Sequence, residues 1–348
     1  MTFTKAHWTR RLDDKGAWAP FWLGVTITII CVLVRCLCDG FFLITSGLPE
    51  GYYALWRSDT WWTELVNAIL LGYIPAVLII ARRGVARDLE QLSPWLELSD
   101  TERDDILMAA TGPAKLPGLA LMFGGLVGGV ILVSLDPSIS QASEPSLTNP
   151  AFVWPLVRIP VFSWLIVALI ISEMKDARTY FRVGRKLVDV DLLDVQSLSP
   201  FSQRGLRSAL TWVIFSIIFS LFWLGENTAS QINFSVLVIL LTMATAAFFV
   251  PLIGTHNNIK SVKYLELDRL REEIRVERKV AIDGVQGEGP ASPRLANLIA
   301  YYQLVNRTRE WPIDGANLLR FFMYLLIGLG SWLGGAVVER LLDISLGP

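Results

Sequence analysis

The sequence predicts an all-α, polytopic membrane protein with about seven transmembrane helices and a small cytoplasmic helical assembly. Three observations lead there. Of the 348 residues, 53% are hydrophobic and 18% charged, against roughly 45–50% and about 25% in ordinary soluble domains. Seven segments approach the ~20 largely apolar residues that a helix needs to cross a bilayer. The basic residues then fall almost wholly into alternate connections, the pattern that orients multi-pass proteins. With a mean hydropathy of +0.46, this composition argues against a secreted or cytosolic enzyme.

Residues 1–19 form a cytoplasmic arm carrying Lys5, Arg10, Arg11 and Lys15. The first span, 20–44, begins like a signal peptide, with basic residues ahead of the apolar run Phe21 to Val34. Arg35 to Asp39 reads Arg-Cys-Leu-Cys-Asp and lacks the small residues of a cleavage site, so the segment is expected to be retained. All three cysteines, Cys31, Cys36 and Cys38, lie in this one stretch. They read as membrane-buried thiols, not as a disulfide framework.

The next five spans are 61–81, 117–135, 152–172, 209–225 and 234–254, which completes a six-helix membrane region over 20–254 with inner loops 82–116 and 173–208. A seventh span at 317–338, with a short outer tail, closes the chain at 348. The arm, the two inner loops and the segment 255–316 hold four, five, seven and ten basic residues. The other connections hold only Arg57, and the tail Arg340. The N-terminus is therefore expected in the cytoplasm and the C-terminus outside, in a bacterial inner membrane.

Segment 255–316 reads as a cytoplasmic αα-hairpin. From His256 to Val280, the apolar residues Ile259, Val262, Leu267, Leu270 and Ile274 recur at helical spacing among dense mixed charge. Gly284 to Pro290 breaks that helix. A second helix starts at Ser292-Pro293, an N-cap followed by proline at the first helical position, and ends before Trp311-Pro312. No internal or inverted repeat is visible.

Three groups of residues could carry function. Lys175, Arg178, Arg182, Arg185 and Lys186 continue the fourth span at spacings of three and four, beside Tyr180 and Phe181, and Arg271, Arg275, Arg278 and Lys279 repeat the pattern after the sixth span. Guanidinium groups near aromatic rings suit an anionic ligand such as a nucleotide, an oligonucleotide or a lipid headgroup. Positive-inside anchoring and salt bridges to Glu272, Glu273 and Glu277 would explain the same rows without a ligand.

The second group comprises Arg35, Asp39, Glu64, Asn67 and Arg158, polar residues toward the outer ends of spans. A charge within a membrane costs on the order of 2.5–3.5 kcal/mol, so these side chains should pair or line a pathway. The third group is glycine. Gly124-Gly125 with Gly128-Gly129, and Gly330 with Gly334, form GxxxG patterns that allow close helix approach, either within one chain or between copies. Trp332 among them could alternatively narrow a pore.

Catalytic chemistry finds little support. The chain has two histidines, His7 and His256, and no HExxH, CxxC, P-loop or dinucleotide-binding glycine turn. The carboxylates Asp104, Asp105, Asp189, Asp191 and Asp194 read as solvated loop residues. No enzyme activity, cofactor or metal is expected.

The run Arg309-Glu310-Trp311-Pro312, followed by Gly330-Ser331-Trp332-Leu333-Gly334-Gly335-Ala336 and Glu339-Arg340, resembles a C-terminal pattern of bacterial multi-pass membrane proteins with no assigned activity. Val190-Asp191-Leu192-Leu193-Asp194 with Pro200-Phe201 and Gly205-Leu206 is similar to the same pattern. The likeness spans about a third of the chain and implies no catalytic residues. By architecture alone the chain also resembles membrane effectors of bacterial anti-phage defence, which implies a helical pore joined to a cytoplasmic nucleotide-type sensor.

The expected function is a homo-oligomeric membrane pore or ion channel regulated by an anionic ligand, a nucleotide, single-stranded nucleic acid or lipid, on its cytoplasmic helices. Two alternatives stand beside it: a secondary transporter built around Arg35, Asp39, Glu64 and Arg158, and a non-conducting scaffold docking a soluble partner at 256–311.

Overall fold

The structure is a computed structural model that describes residues 16–46, 59–92, 101, 106, 108, 116–135, 150–187, 191–194, 198–224, 230–283 and 293–346. These residues form eight α-helices and one short 3-10 helix, with no strand among them. The helices are α1 (Ala19–Ser46), α2 (Asp59–Leu92), α3 (Leu116–Leu135), α4 (Pro150–Arg185), α5 (Ser199–Ser220), α6 (Ser230–Asp283), α7 (Pro293–Arg307) and α8 (Gly315–Leu346). Each of the seven apolar segments falls on a helix, and the 3-10 turn Leu221–Leu224 completes the fifth. The basic residues of the arm, Arg57, Asp104, Asp105, Asp189, Gly284 to Pro290 and Ser292 lie outside the described residues, as do the side chains of Cys38, Asp39, Trp332, Glu339 and Arg340.

Four helices are long and apolar enough to cross a membrane, through Ala19–Leu37, Trp61–Leu92, Val153–Arg185 and Ser235–Val280. That is fewer than the seven expected. The apolar helical stretches Gly118–Ile131 and Gly315–Ser331 are shorter. In α5 the first turns carry Gln203, Arg204 and Arg207, which leaves its apolar part short.

Helices α2, α4, α5 and α6 form the centre of the bundle. α5 packs on α6, α2 and α8, and α4 on α6 and α3, while α1 lies against α2. One apolar core joins Leu70 and Ile74 of α2, Leu169 of α4, Trp212 and Val213 of α5, and Leu240 and Ala244 of α6. Backbones approach closely where glycines meet. A Cβ on Gly72 would collide with the Gly24 carbonyl across the α1–α2 crossing, and one on Gly254 would collide with the Phe181 carbonyl where α6 crosses α4. Such crossings gain dispersion contact without side-chain ordering.

α6 is continuous over 54 residues, with Pro251 inside it. At 1.5 Å per residue it extends ~80 Å, far more than the ~30 Å of a bilayer core. The amphipathic stretch after the sixth span is therefore a rigid continuation of that span. Its face bearing Ile259, Leu267 and Leu270 is covered in part by α7, through Val305, Leu298 and Tyr302. The same core takes in Phe201 of α5 and Phe321 of α8.

Candidate functional site

Helix α4 presents two chemically opposite faces beyond the fourth apolar segment. The stripe Leu169, Glu173, Asp176, Tyr180, Val183 and Leu187, at helical spacings of three and four, turns toward α2, α5 and α6. Most of it is apolar, yet Glu173 and Asp176 sit within it. Arg204 of α5 answers them with a charge-assisted bond of 2.6 Å to Asp176 and a longer one of 3.4 Å to Glu173. Ser208, one turn along α5, donates to Glu173 at 2.6 Å. Burial alone would lower the Arg204 guanidinium, but Glu173 and Asp176 outweigh it and hold the group above the ordinary arginine value.

A second buried group lies beside the first. Tyr180 donates to Asp88 of α2 at 2.5 Å, and Arg207 of α5 pairs with the same carboxylate oxygen. Asp88 is 1% exposed and Tyr180 fully buried. Tyr180 also packs edge-on against Phe201 at 6.0 Å. Helices α2, α4 and α5 are thus joined by a layer of ion pairs at one end of their apolar core. Isolated charges there would be costly to bury, which is why each has a partner.

This layer was missed by sequence reasoning, which counted its members among loop charges. It also corrects one assignment. Tyr180 was expected beside the basic row as part of an anion site; at 100° per residue it falls on the buried face and serves the Asp88 pair instead.

The basic row itself occupies the opposite face. Arg178, Arg182, Arg185 and Lys186 are exposed and Lys175 is half-buried. Arg185 lies 5.9 Å over the Phe181 ring, whereas Arg178 and Arg182 have no carboxylate partner among the described residues. The C-terminal end of α4 is fixed from behind, because Asn258 of α6 donates to the Gly184 and Leu187 carbonyls at 3.1 and 2.9 Å. The Gly184 carbonyl is one of the orphan acceptors of the helix end, and Leu187 lies just past it.

The second basic row behaves differently. Arg271 pairs with Asp268 at 2.7 Å and stands over the Tyr302 ring, and Arg275 pairs with Glu272 at 2.8 Å. Arg278 is exposed beyond them on α6. Local pairs therefore take up much of this row's charge, and the two rows lie on different helices.

Toward the other end of the bundle, Arg158 of α4 pairs with Glu64 of α2 at 2.8 Å, and Trp154 donates to Glu64 at 2.9 Å. Asn67 bonds back to the Thr63 carbonyl on its own helix at 2.9 Å. Arg35 is half-buried on α1. Glu64 and Arg158 therefore satisfy each other as an interhelical pair.

The glycine assignments need a correction of phase. A Cβ at Gly124, Gly128, Gly330 or Gly334 would meet nothing within 4 Å, so these glycines make no close helix contact among the described residues. Their neighbours do. A Cβ on Gly125 would lie 2.7 Å from Val167, one on Gly129 2.5 Å from Pro160, and one on Gly328 3.3 Å from Leu241. One residue of helix rotates a side chain by ~100°, enough to exchange a helix contact for an open face.

Beyond the basic row, the turn between α7 and α8 is strapped to α6. Trp311 stacks on His256 with ring centroids 4.1 Å apart, and His256 Nδ1 lies 3.0 Å from the Glu310 carbonyl. Lys263 donates to the Thr308 carbonyl at 2.9 Å and pairs with Glu310 at 3.3 Å. Among the described residues, no group of three or more His, Cys, Asp or Glu is placed to hold a metal ion. No family model, curated protein or solved structure matches the chain.

Proposed function

We propose that the chain is the subunit of an oligomeric, ion-conducting pore in a bacterial cell membrane, governed by an anionic ligand on the exposed basic face of α4. In this reading all seven apolar helices span, with the N-terminus inside and the C-terminus outside. The alternation of basic connections and the coincidence of each apolar segment with a helix support that topology.

The observation that carries the proposal is the two-faced end of α4. Arg178 and Arg182 are exposed and have no carboxylate partner among the described residues, and the other face of the same turns holds Asp176 against Arg204 and Tyr180 against Asp88. An anion bound outside would act on the helix whose inner face ties α2 and α5 together, and a ligand that prefers one packing of those helices shifts their equilibrium. Within one chain, Glu64 and Arg158 are consumed by each other, which favours conduction between copies over a transport pathway inside a subunit. The open glycine faces of α3 and α8 suit contacts between copies.

Reconstitution into planar bilayers tests this directly. Unitary currents that lose their ligand dependence in Arg178→Glu/Arg182→Glu support the reading, and an absence of ion flux from an intact oligomer overturns it. A scaffold reading is favoured by exposed apolar residues on the hairpin, among them Leu265, Val276 and Leu304. It predicts a stable soluble partner that is lost when 256–311 is deleted, with no flux.

A further inference from the structure

The exposed face of α4 is one straight stripe that changes chemistry once along its length. Val157, Val161, Trp164, Ala168 and Ile171 follow one another at spacings of three and four, and none is buried. Val157 is 54%, Val161 38% and Trp164 39% exposed. The same spacing continues without a break through Lys175, Arg178, Arg182 and Arg185. A soluble nucleotide would use only the second half of this stripe. An amphipathic ligand would use both.

We propose that this stripe binds an anionic glycerophospholipid of the leaflet at the α4 C-terminal end. The inference rests on the anion-binding reading above and names the ligand class. The dimensions agree with it. From Ile171 back to Val161 is ten residues, ~15 Å of helix, and half of a ~30 Å hydrocarbon core is the same length. An acyl chain lying along the stripe would therefore run beside Ile171, Ala168, Trp164 and Val161. Lys175 and Arg178 follow within ~6–10 Å of Ile171, at the depth of the headgroup region.

Side-chain direction brings the outer arginines into reach. Each Cα–Cβ bond in a helix tilts toward the N-terminus, and the N-terminal part of α4 is the spanning part. Arg178 and Arg182 therefore reach back toward the membrane surface, where planar guanidinium groups can bond phosphate oxygens bidentately. No carboxylate among the described residues takes up that capacity. Binding would fix the outer face of the turns that carry Asp176 and Tyr180 on the inner face.

Native mass spectrometry of the full chain, purified in a neutral detergent, provides the test. Equal amounts of dioleoyl-phosphatidylglycerol and dioleoyl-phosphatidylcholine are added, and ATP and a short single-stranded oligodeoxynucleotide are tried in parallel arms. The wild type should retain phosphatidylglycerol with a preference of roughly tenfold to thirtyfold, the scale expected of two arginines near an anionic surface. Arg178→Glu/Arg182→Glu should bring the preference to near parity, and the milder Arg178→Ala/Arg182→Ala should do the same with the melting temperature unchanged. Trp164→Ala should lower phosphatidylglycerol retention severalfold with its charges intact. Equal retention of both lipids by the wild type, or a preference indifferent to the arginine substitutions, overturns the lipid assignment. If ATP or the oligonucleotide binds in an arginine-dependent way while lipid retention does not respond, the lipid assignment falls and the anion-binding reading stands. If no probe responds to the arginines, both fall.

Discussion

Arg204 of α5 and Asp176 of α4 form a buried ion pair at 2.6 Å, their side chains only 3% and 4% exposed. Removing one partner of such a pair leaves an uncompensated charge, which costs about 3–5 kcal/mol, whereas replacing both with apolar groups is often neutral. Arg204→Met should therefore destabilise the purified protein strongly, because Asp176 and Glu173 both lose their cation. The double variant Arg204→Met/Asp176→Leu should regain part of the loss, the remainder belonging to Glu173. Denaturant titration in mixed micelles measures both. A double-variant loss equal to the sum of the losses of Arg204→Met and Asp176→Leu made singly would show that the pair is not coupled.

Tyr180→Phe removes one donor to Asp88 and keeps the ring that packs on Phe201. Arg207 still neutralises the carboxylate, so the expected cost is about 1.5–3 kcal/mol, that of a hydrogen bond to a charged group. Asp88→Ala should cost more, since it strands Arg207 and Tyr180 together. The phenyl variant should also bind phosphatidylglycerol like the wild type, because the hydroxyl faces away from the basic row. A loss of lipid preference without a loss of stability would return Tyr180 to the anion site.

The helices were legible because hydrophobic length and helical spacing are local properties. The continuation of α4 and α6 beyond their spans follows from the same spacing, and the start of α7 at Pro293 from proline's place at the first helical position. The buried layer was not legible, because Asp176 and Arg204 lie 28 residues apart and only the packing of α5 on α4 brings them together. A partial signal was present, since Glu173 and Asp176 share a stripe with Leu169, Val183 and Leu187, where a solvated carboxylate would be out of place. The phase of the glycines depends on which side of α3 meets α4. A GxxxG pattern alone does not carry that information, and here it occurs in two overlapping registers.

Adjacent glycines on α3 should therefore respond in opposite ways. Gly129→Leu places a side chain against Pro160 of α4 and should separate the two helices, lowering stability by about 1–3 kcal/mol, the usual cost of overpacking. Gly128→Leu enters open space within the chain and should leave the melting temperature unchanged. If α3 joins copies through its outer face, the second variant should instead lower the oligomer mass measured by light scattering. Gly72→Leu provides a control on the α1–α2 crossing and should be as damaging as Gly129→Leu.

The strap between α7 and α8 links α6 to the last apolar helix, and its fastening is local. Lys263 is anchored with its side chain 8% exposed, to the Thr308 carbonyl and to Glu310, while Trp311 stacks on His256 and touches Phe249. Phe249 in turn meets Phe321 of α8, which stacks on Phe248 at 4.2 Å. Trp311→Ala should therefore loosen two connections at once, that of the strap to α6 and that of the strap to the aromatic group holding α8. Amide exchange of residues 308–314 should accelerate by roughly tenfold or more, which corresponds to ~1.4 kcal/mol of local opening. Exchange in α2 and α5 should stay at wild-type rates, because the Asp176–Arg204 layer does not depend on the strap. Lys263→Met should reproduce the effect at 308–310 and leave Trp311 stacked, as read from its fluorescence. Acceleration spread evenly over the whole bundle would show that the strap is an inseparable part of the global fold and not a local fastening.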